Sequence, residues 1–157
     1  MVITGLHFLW SYKCTYECDH CFAWGSPTQE GTFTLDQLDT IFEQAADLGT
    51  VQWVYFEGGE PFLYYATLLR GVQRSKKRGY KCGVVTNAYW ATDESDAIET
   101  LGPFAGLVDD LSISADLYHS DDIINAQIRN ALGAAEKLGI PAATISIAQP
   151  EAETRKS

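Results

Sequence analysis

Positive charge, evenly spread cysteine and long apolar runs are all scarce in this chain of 157 residues. Lys and Arg number 11 against 21 Asp and Glu, a formal net charge of −10. Such a surface repels phosphate backbones and anionic lipid, so general nucleic-acid binding and membrane-surface attachment are not expected. The one basic concentration, Arg70, Arg74, Lys76, Lys77 and Arg78, falls at the end of a predicted helix. It reads as a solvated terminus whose cations meet the helix dipole. No apolar run approaches the roughly 20 residues a bilayer span needs, and the first residues lack the pattern of a cleavable signal. The expected location is therefore cytoplasmic. Of the four cysteines, three lie between positions 14 and 21 while Cys82 stands far away in an apolar stretch. That spacing argues for ligation and against a disulfide framework. Internal repeats and low-complexity tracts are also missing, which excludes solenoids and linkers.

Hydrophobic residues at 46% and charged residues at 20% are the proportions of an ordinary globular domain. A domain of this size buries roughly 68–70% of its unfolded surface, enough for a core without staples. Strands are predicted over 6–12, 51–56, 81–86, 108–114 and 142–147, where short apolar, β-branched or aromatic runs end in turn residues. Helices are predicted over 35–48, 64–78, 93–101 and 122–138. The first opens on a capping box, Thr34 with Gln37, and closes at Gly49. Five strands alternating with four helices imply right-handed crossovers and a parallel sheet. The fold class is α/β, and in such sheets function gathers at the strand C-terminal ends. A core domain over 1–149 and a polar tail over 150–157 are expected; the chain reads as cut short directly after a strand.

Cys14, Cys18 and Cys21 follow the first strand in one loop, near enough to converge on a single centre. Soft thiolates select zinc, copper(I) or iron–sulfur clusters. Closed zinc and closed cluster sites each take four ligands, so three thiols leave one position open, as catalytic metal sites do. His20 or Cys82 would complete a closed zinc site. His20, however, adjoins Cys21 in the chain, and Cys82 falls within a predicted strand where simple burial explains it.

Cys-x-x-x-Cys-x-x-Cys after a first strand resembles the signature of the radical S-adenosylmethionine superfamily. The resemblance implies a parallel partial β/α barrel, an incomplete TIM-like barrel with five of the usual six units. It further implies a [4Fe-4S] cluster held by Cys14, Cys18 and Cys21, with S-adenosylmethionine on the remaining iron. His20 stands where the family commonly places an aromatic residue near the adenine. Gly58-Gly59-Glu60-Pro61, after the second strand, is similar to the family's element for the methionine amino group, with Glu60 or local carbonyls as acceptors. An ammonium offers only donors, so it needs them. Taken alone, the paired glycines and proline also fit a plain turn ahead of a helix.

At the later strand ends stand Thr86 and Asn87, then Ser112, Ser114 and Asp116, which the resemblance assigns to ribose and carboxylate contacts; ordinary turn chemistry is the alternative. Alternation puts Ser112 and Ser114 on one side of their strand. Ile145 and Ile147 resemble the family's wall against adenine, though apolar strand residues are core by default. Tyr89, Trp90, Tyr118 and His119 either shape a substrate pocket or pack their loops. The activity implied is reductive cleavage of S-adenosylmethionine to a 5′-deoxyadenosyl radical that abstracts hydrogen from an unidentified substrate, with an electron donor such as flavodoxin or ferredoxin as partner. The rivals are a non-enzymatic zinc or iron–sulfur module and an abbreviated glycyl-radical activase.

Overall fold

A computed structural model describes residues 2–115 and 122–146. Asp116, Tyr118, His119, Ile147 and the 150–157 tail lie outside them. Among the described residues five strands, β1 (Gly5–Ser11), β2 (Trp53–Gly58), β3 (Lys81–Thr86), β4 (Asp110–Ser114) and β5 (Ala142–Ile145), alternate with four helices. The helices are α1 (Leu35–Leu48), α2 (Tyr65–Lys77), α3 (Glu94–Leu101) and α4 (Asp122–Leu138), with short 3₁₀ turns at Pro61–Tyr64 and Gly102–Phe104. The sheet order is β1-β2-β3-β4-β5 and every pairing is parallel. Strands added in sequence by right-handed crossovers keep all helices on one face, which is barrel winding and not the two-sided winding of an open sheet.

Local chemistry sets the element boundaries. Thr34 and Gln37 form the reciprocal capping box that opens α1, and Gly49 ends it in the left-handed region at φ 67°. Pro61, with no N–H to give, starts the 3₁₀ turn ahead of α2, and Glu60 caps that turn by accepting from Phe62 N. The basic residues at the end of α2 do more than meet the dipole. Arg74 and Arg78 both pair with Asp39 of α1, and Lys76 pairs with Asp109 at 2.9 Å. Asp109 also accepts from Cys82 N at 2.8 Å, so Lys76 braces the start of β3.

The two faces of the sheet differ in kind. Phe8, Trp10, Val54, Phe56, Cys82, Val84, Leu111 and Ile113 are buried against Leu38, Phe42, Leu68, Val72, Ala131 and Ala135 of the helices, and these rows form the core. The other face is the barrel's inner wall. In one row of it His7, Tyr55, Gly83 and Asp110 stand side by side across four strands. Tyr55 stacks on His7 with centroids 4.9 Å apart, crosses Gly83 and donates its hydroxyl to Asp110 Oδ2 at 2.9 Å. Glycine at 83 is what allows this, because a Cβ there would lie 2.1 Å from the Tyr55 ring. Burial, and then the Asp110 carboxylate, push the phenol up to about 12, so it stays a hydrogen-bond donor at neutral pH.

Candidate functional site

The cysteine loop leaves β1 at Ser11 and returns at Thr32, which form an antiparallel bridge. Its neck is tied by Cys14 N donating to Ser26 O (3.0 Å) and Ser26 N donating to Tyr12 O (3.3 Å). The buried Ser11 hydroxyl accepts from Lys13 N at 2.9 Å and donates to Gly31 O at 3.2 Å. Inside the loop Cys21 N donates to Cys18 O, and Gly25 N donates to Cys21 Sγ at 3.3 Å. The loop is thus shaped by its own backbone.

Three glycines let it sit tightly on the end of β2. A Cβ at Gly58, whose φ is +117°, would lie 2.5 Å from Ser11 O. One at Gly59 would lie 2.1 Å from Lys13 O, and one at Gly25 would lie 3.1 Å from the Gly59 Cα. Glu60 N then donates to Lys13 O at 2.8 Å. The pairing of Gly58-Gly59 with the loop is backbone on backbone.

The result is a cavity of about 250 Å³ at the C-terminal rim of the sheet. Cys14, Cys18, Cys21 and His20 line it from the loop, Gly58 and Gly59 from β2, Thr86 and Asn87 from β3, Ser114 from β4 and Ile145 from β5. Ser112 lies on the same strand face as Ser114, one step deeper, and is not part of the lining. Pro61 is buried in its turn. Trp90 is buried as well, donating Nε1 to Thr86 Oγ1 at 3.0 Å, while Tyr89 lines a separate surface pocket with Phe62 and Tyr65. Among the described residues no three His, Cys, Asp or Glu side chains close on a single point. The three thiols surround a space instead.

Sequence reasoning offered Glu60 or nearby carbonyls as ligand acceptors, and the side chain of Glu60 turns away from the cavity. Fully buried, it accepts from Phe62 N (3.0 Å) and Thr86 Oγ1 (2.9 Å) on Oε1, and from Asn87 N (2.8 Å) on Oε2. It ties the end of β2 to the end of β3. Asn87 carries the tie onward, because its Nδ2 donates to Thr15 Oγ1 at 2.9 Å and to Cys14 Sγ at 3.6 Å. Glu60, Asn87 and Cys14 form one hydrogen-bonded chain under the cavity.

Burial pushes the Glu60 carboxyl from its ordinary 4.5 up to about 7, and the donors from Asn87, Phe62 and Thr86 pull it back without overcoming that. The folded chain therefore keeps a proton that the unfolded chain releases near 4.5. The stability this contributes is fully present below 4.5 and is lost as pH rises through 7. Urea unfolding of the wild type and of Glu60→Gln between pH 5 and pH 8 is expected to show the difference moving against the wild type by on the order of 3 kcal/mol. A flat difference would mean that the three donors hold the carboxylate ionised throughout. Burial also raises Cys14, an effect the backbone donors of Tyr16 and Thr15 oppose and the nearby Glu60 charge reinforces. A cationic centre beside the thiol would reverse that balance, as metals do for their sulfur ligands.

Several positions were not singled out from the sequence: Tyr16, Phe22, Val85 and Ser146 also line the cavity, and Gly25 and Glu57 shape it. Gly25 matters only through what it packs against. Glu57 lines the cavity from the inner face of β2, and the signal for it was its phase: Trp53, Tyr55 and Glu57 alternate onto one side of the strand.

A parallel, one-sided β/α sheet with three thiols and a glycine-lined recess at its C-terminal rim defines the class: a partial-barrel core of the kind that carries cofactor chemistry at its strand ends. A family model described as the Radical SAM superfamily matches residues 9–151, and the chain belongs to that superfamily. It is 28% identical over 121 residues to "Putative peptide biosynthesis protein YydG" of Bacillus subtilis (strain 168), covering 76% of this chain and 38% of that one. It is 31% identical over 83 residues to the tungsten-containing aldehyde ferredoxin oxidoreductase cofactor-modifying protein of Pyrococcus furiosus, covering 52% of this chain and 23% of that one. The chain thus spans less than half the length of either curated relative. Its fold is shared with the crystal structure of BtrN in complex with AdoMet and 2-DOIA, at a TM-score of 0.64 and 16% identity over 93% of this chain and 57% of that one. Among the described residues no helix is long and apolar enough to cross a membrane.

Proposed function

We propose that Cys14, Cys18 and Cys21 hold a [4Fe-4S] cluster and that the recess beside them receives S-adenosylmethionine. The observation that carries this reading is the donor set: three soft thiols on one cavity, with N–H donors from Asn87 to Cys14 and from Gly25 to Cys21. Donors aimed at cysteine sulfur stabilise thiolate charge and are a recurrent surrounding of iron–sulfur centres. Together the cluster and S-adenosylmethionine would supply reductive cleavage of the cofactor and hydrogen abstraction from a substrate. This chain's own residues bind, orient and shield. Gly58 and Gly59 present bare backbone to an ammonium, Ser114 offers a hydroxyl to a sugar or carboxylate, and Ile145 and His20 wall the recess. An electron donor of the flavodoxin or ferredoxin kind would deliver the reducing equivalent. The two curated relatives are named for different targets, peptide biosynthesis and the cofactor of a tungsten-containing oxidoreductase, so their names point to no single substrate.

The test is anaerobic reconstitution of the chain followed by metal analysis and EPR. About four irons with matching sulfide, and a reduced-state signal that changes when S-adenosylmethionine is added, are expected. One equivalent of zinc without sulfide, or a signal indifferent to S-adenosylmethionine, would replace this reading with the non-enzymatic module.

A further inference from the structure

The cavity has one ionic feature that the proposed cluster ligands leave unexplained. Among the described residues lining it there is no Lys or Arg, and Glu57 is the one carboxylate. Its side chain is 15% exposed, so water screens it little, and Oε1 lies 2.8 Å from His7 Nδ1 on the neighbouring strand. The imidazole is itself held flat against Tyr55, with an interplanar angle of 6°. A positioned carboxylate on the wall of a recess lined by no Lys or Arg among the described residues makes the recess attractive to cations.

S-adenosylmethionine carries a sulfonium and an ammonium against one carboxylate, a net charge of +1, whereas S-adenosylhomocysteine, methionine and 5′-deoxyadenosine have none. We propose that Glu57, held by His7, is the anionic wall of the cofactor recess and selects the sulfonium form over its neutral relatives and cleavage products. This inference rests on the reading that the recess binds S-adenosylmethionine. Discrimination arises because only the charged form recovers the cost of keeping a shielded carboxylate, and the same difference favours release once the sulfonium is consumed.

The experiment is anaerobic calorimetry on the reconstituted chain, titrating S-adenosylmethionine and S-adenosylhomocysteine in turn. The wild type is expected to prefer the sulfonium form. Glu57→Gln should cut that preference by about tenfold or more, because one unit charge at a separation of several ångströms with protein-like screening exceeds what a factor of ten requires. Glu57→Asp, which keeps the charge, should retain it, and both variants should keep the cluster's visible spectrum. A Glu57→Gln variant that weakens both ligands equally, or neither, overturns the inference while leaving the recess a binding site. Failure of the wild type to bind S-adenosylmethionine overturns both.

Discussion

Replacing any one of Cys14, Cys18 and Cys21 by alanine is expected to take bound iron from about four per chain to near zero, while Cys82→Ala leaves it unchanged. The contrast follows from where each thiol lies. The first three line the rim cavity, and the loop that carries them is fixed by backbone hydrogen bonds that the side-chain changes do not touch. With two thiolates left, a cluster has too few protein ligands to compete with chelators in solution. Cys82 sits on the opposite, helix-covered face of β3, fully buried, with burial pushing its thiol up to about 12. It behaves as a small apolar residue, and its loss costs about 1 kcal/mol of packing. Iron and sulfide analysis of the four variants, with thermal unfolding alongside, separates a lost ligand from a lost fold. Equal iron in all four would remove the cysteine loop from the site.

Elements whose signals are local in sequence were legible. The bounds of α1, α4 and β3 agree with the reading from periodicity, because the cap at Thr34 and the stop at Gly49 are fixed by residues within one turn of the boundary. β2 was displaced. It was read over 51–56 and runs over Trp53–Gly58, since Thr4 takes Gln52 N and Trp53 N before the ladder begins, and Gly58 still pairs with Ser11. A charge followed by glycine looks like a loop, yet here both belong to the strand. That shift of two residues carried Glu57 out of view, because as a strand residue it has a definite face and as a loop residue it has none.

The cysteine cluster needed only spacing to be noticed, whereas the direction of Glu60 could not be read from composition. Its carboxyl turns inward because an extended backbone at the cap, φ −121° and ψ 106°, aims the side chain at Phe62 N, and the ends of β3 supply the other two donors. Partners 26 and 27 residues away along the chain meet it only after the sheet is assembled. Gly25 is the same case in backbone form, since its smallness is needed only once Gly59 and Cys14 lie against it.

Gly59→Ala is the second large effect expected, a loss of about 3–5 kcal/mol, at the upper end of what single substitutions do. A Cβ at this position would stand 2.1 Å from Lys13 O, 2.6 Å from Lys13 C and 2.9 Å from Tyr12 C. All three are backbone atoms, so no rotamer change relieves the overlap, and the strand end and the cysteine loop must part. Parting them breaks the bond from Glu60 N to Lys13 O and the bond from Gly59 N to Ser11 O. It also carries Cys14 away from Asn87, so the variant should lose iron as well as stability. Gly59 has no positive φ, which makes the clash the whole effect and gives the experiment a clean control. Gly102, at φ −49° with nothing within 4 Å of its would-be Cβ, should accept alanine with no loss or with a gain of about 0.4–1 kcal/mol. Urea unfolding of the two variants beside the wild type, with iron content after reconstitution, gives the comparison. If Gly59→Ala matched Gly102→Ala in both measurements, the close seating of the loop on β2 would have to be abandoned, and with it the shared cavity that makes three thiols and two glycines one site.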